Sequence, residues 1–323
     1  MEAAVIVTYR CNCRCHMCNT WKFPTEQKQE FQPGLLEKLP RLSFCNITGG
    51  EPFLREDIED IIAMVSKKAK RVVISTNGYF TEKIVALAVH HPRIGFRISI
   101  EGLPAVNDEL RGMTDGFDHG LRTILGLLRL GRRDVGFGIT VSDRNFRDML
   151  ELYHLAKFMN VEFATALVHN SFYFHKYDNI IADPEAIAAH FHELIGEQLR
   201  SRRIKDWYRA YFNHGLVNLL HGRPRLLPCR AGSDGFFLDP AGEIWPCNGM
   251  EEKFWLQSMG NLQEKTFAEI WMSEQAKSVR DKVAHCQKNC WMIGTASPAI
   301  KRNPGRPTAW VIKNKFLRSL AKK

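Results

Sequence analysis

Four cysteines fall within eight residues near the N-terminus, directly after a short apolar run at residues 3–7. Three of them, Cys11, Cys15 and Cys18, are separated by three and then two residues. Three thiolates on one loop can bind three corners of an iron–sulfur cube, which usually takes four cysteines. Zinc also binds thiolates, but its sites usually pair two C-x2-C units. The spacing therefore favours an iron–sulfur site with one open iron.

This C-x3-C-x2-C loop resembles the defining motif of the radical S-adenosylmethionine (radical SAM) superfamily. The resemblance implies a [4Fe-4S] cluster held by Cys11, Cys15 and Cys18, whose open iron chelates the amino and carboxylate groups of SAM. One electron from a donor such as a flavodoxin or ferredoxin then yields a 5′-deoxyadenosyl radical, and the protein positions and shields that chemistry. Met17, before the third cysteine, is expected to lie against the adenine.

The elements that must position this loop are six short apolar runs that alternate with helical periodicity. The predicted strands cover residues 3–9, 44–48, 71–75, 94–100, 135–141 and 162–168. Parallel strands need crossover connections, which the intervening helices provide. We predict an α/β fold, a partial (β/α)6 TIM-like barrel, as the family resemblance also implies. Functional residues should then gather at the C-terminal ends of the strands.

Polar residues and glycines do follow these strands, in an order that resembles the SAM contacts of the family. Each alone is compatible with a turn, a cap or the surface. The resemblance implies that Glu51 contacts the SAM amino group and that Arg111 pairs with its carboxylate, a task suited to a guanidinium. The full set of expected SAM contacts is Met17, Gly49, Gly50, Glu51, Ser75, Asn77, Ser99, Arg111, Thr140 and Asn145.

The segment after the sixth strand, residues 169–178, should lie over the barrel mouth and contact the substrate. His169 and His175 are its weak catalytic candidates, because a loop histidine is more often simply hydrogen-bonded. No catalytic residue is otherwise assigned.

A second set of cysteines, Cys229, Cys247, Cys286 and Cys290, can fully ligate another cluster, with a four-thiolate zinc site as the alternative. A Gly-x4-Cys hairpin ending at Cys247 and the late cysteine pair resemble the SPASM/twitch extensions of radical SAM enzymes. A full SPASM domain has seven cysteines. Four imply the shortened twitch type, a small α+β domain with one auxiliary [4Fe-4S] cluster. Cys13 and Cys45 are assigned no role.

The expected domains are a radical SAM barrel over residues 1–204, a helical linker over 205–228, a twitch-like domain over 229–295 and a basic tail over 296–323. The formal net charge of +10 is concentrated in this tail, where residues 301–323 hold eight Lys/Arg and no acid. Residues 310–320 could form a basic amphipathic helix that contacts an anionic membrane or a partner. Packing on its own domain, or disorder, is the alternative.

The chain has no apolar run of the ~20 residues needed to cross a bilayer and no signal peptide, so we expect it in the cytoplasm. We expect a radical SAM oxidoreductase that takes hydrogen from an unactivated C–H of a small metabolite or natural-product intermediate, for dehydrogenation or rearrangement. The auxiliary cluster would accept an electron.

A peptide-modifying enzyme is the alternative, although no leader-binding segment precedes the first strand. A non-catalytic metal-binding nucleic-acid module is a remote one. The basic tail would suit phosphate, but the strand-end residues have no purpose there, so no nucleic-acid partner is expected.

Overall fold

The computed structural model describes residues 1–252 and 256–317, with side chains of the final turn described through Lys315. None of the described helices combines the length and the apolar character needed to cross a membrane.

Six parallel strands form the main part of one sheet, adjacent in the order β6-β5-β4-β3-β2-β1. They are β1 Glu2–Ile6, β2 Phe44–Thr48, β3 Val72–Thr76, β4 Gly95–Ser99, β5 Val135–Val141 and β6 Glu162–Leu167. Consecutive strands are neighbours throughout, as expected when each crossover returns the chain beside the strand it has just left. The structure confirms the predicted partial barrel of six parallel strands.

Helices pack on this sheet through apolar faces. In α1, Ile58, Ile61, Ile62 and Val65 recur at helical spacing and are buried. The helices are α1 Ile58–Lys68, α2 Thr81–His90, α3 Pro104–Arg111, α4 Gly116–Arg129, α5 Met149–Phe158, α6 Pro184–Arg200, α7 Ile204–Leu220, α8 Phe267–Met272, α9 Glu274–Ala284, α10 Ile293–Arg302 and α11 Gly305–Val311. Short 3₁₀ helices cover Thr20–Lys22, Gln27–Gln29, Pro33–Lys38, Pro52–Leu54 and Phe146–Asp148.

The C-terminal part continues the same sheet through three further strands. These are β7 Gly235–Leu238, β8 Glu243–Trp245 and β9 Gly260–Asn261. Strand β7 pairs in parallel with β1, and β8 and β9 follow antiparallel. The turn between β7 and β8 requires Gly242, whose φ is +87°, and Asp239 accepts the backbone N–H groups of Ala241 and Glu243. The predicted hairpin is therefore an extension of the barrel sheet, and the domain bounds stay a prediction.

The described part of the basic tail packs on α6 and α7. Trp310 stacks on His214 with ring centroids 4.9 Å apart, and Lys315 donates to the carbonyl of Ser201 at 3.0 Å. A π-helical turn, Ile312–Leu317, follows α11. The rest of the predicted amphipathic helix, including Leu320, lies outside the described residues, so its membrane or partner contact stays a prediction.

Helix α7 also fixes the end of the second cysteine set. The indole N–H of Trp291, the residue after Cys290, donates to the carbonyl of Phe212 at 2.9 Å. A Cβ on Gly215 would lie 2.2 Å from the indole nitrogen. The contact therefore requires glycine at position 215.

We expect Gly215→Ala to lower the free energy of unfolding by ~1–3 kcal/mol, because the buried tryptophan must shift. Gly196→Ala in α6 is the matched control, since the nearest atom to its added Cβ is 3.7 Å away. That change should stabilise by ~0.5–1 kcal/mol. Urea unfolding followed by circular dichroism measures both, and a Gly215 variant as stable as its control would contradict this packing.

Candidate active site and auxiliary cysteine site

The loop that carries Cys11, Cys15 and Cys18, the first cysteine set, leaves the C-terminal end of β1 and lies against α3. The N–H groups of Arg14 and His16 donate to the carbonyls of Arg111 and Leu110, both at 2.9 Å. These bonds place the loop beside the strand ends that carry the predicted SAM contacts.

The three thiols predicted to bind the cluster ionise less readily than a free cysteine, whereas the pKa of Cys13 is lowered, chiefly by its hydrogen bonds to Cys11 and Cys15. Burial raises the pKa of Cys18, and a hydrogen bond to Cys13 together with burial raises that of Cys15 well above its usual value. Thiolate ligands therefore need a cation to compensate the lost hydration. An iron–sulfur cluster fits this donor set, because its irons bind thiolates and supply that positive charge.

Cys13 is the fourth thiol of the loop and points away from solvent. It is fully buried, with Sγ 3.3 Å from Asn77 Nδ2 and 3.6 Å from an Arg111 Nη. It also lies 3.7 Å from the sulfur of Met113. Cys13 therefore contacts two residues that were predicted to bind SAM.

Gly49 and Gly50 let the end of β2 approach the backbone after β1. A Cβ on Gly49 would lie 2.5 Å from the Thr8 carbonyl oxygen, and one on Gly50 would lie 2.2 Å from that of Arg10. The two glycines are thus required by backbone packing beside the first cysteine set. Their predicted contact with SAM stays a prediction.

Glu51 is fully buried and joins the ends of β2 and β3. Its carboxylate accepts the Thr76 hydroxyl and the N–H groups of Asn77 and Phe53, at 2.7, 2.7 and 3.1 Å. Burial raises the pKa of Glu51 to about 7 in spite of these bonds. The predicted contact with the SAM amino group is not tested by this arrangement.

Arg111 and Glu101 form a buried ion pair at 3.2 Å across the site. Glu101 also accepts the Thr140 N–H at 2.6 Å, and burial raises its pKa. Within the described residues, Nε of Arg111 has no acceptor although it is buried. A buried guanidinium N–H without an acceptor suits a carboxylate ligand such as that of SAM.

The other predicted contacts have local partners. Ser75 Oγ donates to Asn46 at 3.0 Å, and Asn145 donates to the carbonyls of Glu101 and Thr140 at 2.7 and 2.9 Å. Ser99 is half-buried at the end of β4, and Met17 is half-buried in the loop. All lie at the predicted edge of the sheet, and their contact with SAM stays a prediction.

One buried network was not predicted from the sequence. Glu30 accepts two bonds from Arg10, at 3.0 and 2.8 Å, and one from Arg55 at 3.2 Å. Arg10 directly precedes Cys11, so the network fixes the base of the first cysteine set. No motif marks Glu30, because its partners are 20 and 25 residues away in the chain.

The bridging loop, residues 169–179, connects the first cysteine set to the C-terminal part. On one side, Asn19 N–H donates to the Phe174 carbonyl at 2.8 Å, and Asn179 donates to that of Met17 at 3.1 Å. On the other side, Phe172 N–H donates to the Met250 carbonyl at 2.9 Å. The predicted position over the barrel mouth agrees with these contacts.

The two catalytic candidates occupy different parts of the bridging loop. His169 donates from Nδ1 to the Leu167 carbonyl at 3.0 Å, and its buried Nε2 has no partner among the described residues. Burial lowers the pKa of His169 to about 4, so the ring is neutral at pH 7. His175 stacks on Phe23 with centroids 4.5 Å apart. Neither role is tested.

The second cysteine set, Cys229, Cys247, Cys286 and Cys290, lines one cavity beside β8. Burial raises the pKa of Cys247 and of Cys290, so these thiols also need a cation to ionise. In the parts of the chain with described coordinates, no three potential ligands are close enough to hold a single metal ion. The thiols instead surround a shared space, which fits a multi-atom cluster.

Two kinds of contact join the cysteine sets. Lys288 donates to the carbonyls of Asn170 and Gly249, at 2.5 and 2.7 Å, and pairs with Glu251 at 2.7 Å. An apolar cluster also continues from the barrel to the second set; its members are Ala4, Ile6, Tyr9, Phe172, Tyr173, Phe174, Phe237, Trp245 and Cys247. The two sets are therefore connected by both polar and apolar contacts.

Two family models match the chain at these sites. The radical SAM superfamily model matches residues 5–156, and the iron–sulfur cluster-binding SPASM domain matches residues 229–291. The chain belongs to the radical SAM superfamily and carries a SPASM-type extension. Its cofactors are therefore SAM, the [4Fe-4S] cluster of the barrel and auxiliary iron–sulfur chemistry in the C-terminal part, as predicted.

Three relatives show how this architecture is used elsewhere. The chain is 30% identical over 156 residues to the Fe-coproporphyrin III synthase of Methanosarcina barkeri, covering 46% of this chain and 39% of that protein. It is 28% identical to the AdoMet-dependent heme synthase of the same organism, and the match covers 73% of this chain and 70% of that protein. It is 26% identical to the subtilosin biosynthesis protein AlbA of Bacillus subtilis, and the match covers 90% of this chain and 64% of that protein.

A solved structure shares the fold. The structure of anSMEcpe with bound AdoMet and Cp18Cys peptide aligns over 96% of this chain and 98% of that one, with a TM-score of 0.64 and 14% identity. The predicted fold class is confirmed by this likeness.

We expect Cys15→Ala to remove one cube, reducing iron after anaerobic reconstitution from about eight to about four per chain. Cys13→Ala is the matched control and should keep about eight, because Cys13 lies outside the C-x3-C-x2-C spacing of the predicted ligands. Iron and sulfide analysis measures both. Loss of about four irons in Cys13→Ala would instead make Cys13 a ligand.

Glu51 should make stability depend on pH. The folded chain binds its proton more tightly than the unfolded chain, so its contribution to stability falls as pH rises from 4.5 to about 7. The shift corresponds to about 3 kcal/mol. In urea unfolding across this range, Glu51→Gln should lose less stability than the parent. Parallel curves would show that Glu51 ionises normally.

Proposed function

We propose that this enzyme abstracts a hydrogen atom from an unactivated C–H of a peptide and oxidises that peptide, with the auxiliary site as electron acceptor. The observation that carries the peptide substrate is an exposed apolar rim at the barrel mouth. This mouth rim consists of Phe23, Tyr177 and Ile180, which are 53%, 50% and 77% exposed. Exposed apolar residues grouped beside a site are typical of surfaces that bind another chain.

The mouth rim lies where a long substrate would have to enter. Phe23 follows the first cysteine set and stacks on His175 of the bridging loop, and Tyr177 belongs to the same loop. A peptide bound across it would reach the strand ends while keeping most of its length outside the barrel.

Two proteins that are similar to this chain also support a peptide substrate. AlbA is named for the biosynthesis of a bacteriocin, subtilosin, and anSMEcpe was solved with a bound peptide. Since the chain covers 39% and 64% of two of the relatives described above, their complete activities are not transferred to it. Peptide modification, the alternative in the sequence analysis, thus replaces the small metabolite as the leading proposal.

Oxidation is supported by the arrangement of the two cysteine sets. The radical SAM chemistry supplies a hydrogen-abstracting radical when cluster and SAM are bound. The bridging loop contacts both sets, and Lys288 holds it to the second set. An apolar cluster that includes Ile6, Tyr173, Trp245 and Cys247 packs from β1 to the second set. A substrate held under the bridging loop would therefore lie between the radical source and the auxiliary site.

A tetrapyrrole is the second candidate substrate. Two of the three relatives are named as a heme synthase and an Fe-coproporphyrin III synthase. A tetrapyrrole is a small molecule, so this candidate narrows the small-metabolite substrate expected from the sequence to one chemical class.

The test is anaerobic turnover with SAM and dithionite, using a synthetic peptide library and, separately, Fe-coproporphyrin III. We expect peptides to stimulate 5′-deoxyadenosine formation and to lose two hydrogen atoms by mass spectrometry. Cys247→Ala should still cleave SAM but form no oxidised peptide. Turnover of the porphyrin with no modified peptide would reverse the ranking.

The mouth rim is tested by Phe23→Ser, which should raise KM for a modified peptide about tenfold, or ~1.4 kcal/mol. Phe158→Ser is the matched control. Phe158 is 89% exposed, but it lies at the end of α5, next to the N-terminal end of β6 and not to the C-terminal strand ends that carry the site. Equal KM changes in the two variants would remove the rim from substrate binding.

A further inference from the structure

We propose that Arg225 tunes the auxiliary cluster, donating a hydrogen bond to it and raising its reduction potential so that it accepts an electron more readily. Arg225 would have this role at the second cysteine set whatever the substrate is.

Arg225 lines the same cavity as the four cysteines of the second set. Its Nη1 donates to the carbonyl of Cys290 and lies 3.8 Å from the Cys290 sulfur. The guanidinium is therefore adjacent to a predicted ligand of the cluster, outside the set of ligands itself.

The guanidinium is held from two further sides. Its Nε donates to the Leu227 carbonyl at 3.2 Å, and its central carbon lies 5.2 Å from the ring centroid of Trp291. Trp291 is 2% exposed and is itself fixed by its bond to Phe212. Stacking and hydrogen bonding together fix the plane of the guanidinium.

One edge of this fixed group remains without an acceptor. Nη2 of Arg225 is buried and makes no hydrogen bond to any residue in 1–252 or 256–317. A buried donor left unpaired costs ~1–3 kcal/mol, and more when it is charged. The sulfurs of a cluster in the adjoining cavity would supply the missing acceptor, since hydrogen bonds to such sulfurs are a recognised part of cluster sites.

Arg225 also forms no ion pair within the part of the chain that the structure describes. The other cation of the cavity, Lys288, pairs with Glu251 at 2.7 Å. No carboxylate of the described part of the chain lies within ion-pairing distance of Arg225. A positive charge and an N–H···S bond both stabilise the reduced, more negative form of a cluster. Arg225 therefore shifts the redox equilibrium toward reduction.

The test is a potentiometric titration, followed by electron paramagnetic resonance, of the anaerobically reconstituted full chain. Arg225→Gln removes the charge and should make the midpoint potential of the auxiliary cluster more negative by about 59 mV. For a one-electron couple, this corresponds to a tenfold change in the redox equilibrium constant. Arg225→Lys keeps the charge but loses the planar fork, so it should shift the midpoint less. The barrel cluster, recognised by its spectral change with SAM, should keep its midpoint.

Arg223→Gln is the matched control, because Arg223 is exposed and two residues away. An auxiliary midpoint that moves no further in Arg225→Gln than in this control would overturn the proposal. If Arg225→Gln binds too little iron to titrate, Arg225→Lys decides: a negative shift supports the role and an unshifted midpoint overturns it. A parent chain without iron at the second cysteine set would overturn it as well.

Discussion

Burial opposes ionisation of the thiols on which the chemistry depends. The pKa values of Cys15, Cys18, Cys247 and Cys290 are all raised in their surroundings. Thiols can remain buried while protonated, but as thiolate ligands they need the positive charge of a metal cluster. The surrounding structure therefore has to hold the thiols in place, buried, and ready for a cluster that compensates their charge.

Strand β1 is the common reference for that arrangement. The first cysteine set leaves its C-terminal end, β2 with Gly49 and Gly50 lies on one side, and β7 pairs with it on the other. The second cysteine set is thus attached to the same sheet as the first. The bridging loop and Lys288 add a second connection on the mouth side. Relative placement of the two sets consequently depends on sheet pairing more than on any contact between cysteines.

Local patterns predicted much of this. Apolar runs separated by helical periodicity predicted the six parallel strands. Cysteine spacing, together with the resemblance to the radical SAM and SPASM/twitch motifs, predicted the clusters. Glu30, Arg225 and the pairing of Arg111 with Glu101 had no such signal. Arg225 reaches Cys290 across 65 positions, and Glu30 reaches Arg55 across 25. Such contacts are set by how elements pack, so one sequence without the fold does not specify them.

The sequence by itself indicated the kind of chemistry, because the C-x3-C-x2-C spacing places three potential thiolate ligands on one short loop and resembles the radical SAM motif. It also indicated a sheet of six parallel strands, since apolar runs alternate with helical periodicity, whereas the order of the strands and the place of β7 beside β1 came from the structure. Only the tertiary structure decided what surrounds the thiols: the buried guanidinium of Arg225, the ion pair beside Cys13 and the exposed mouth rim. Burial, charge and hydrogen-bond supply at a site come from segments distant in the chain, and these three quantities control how the cofactors are used.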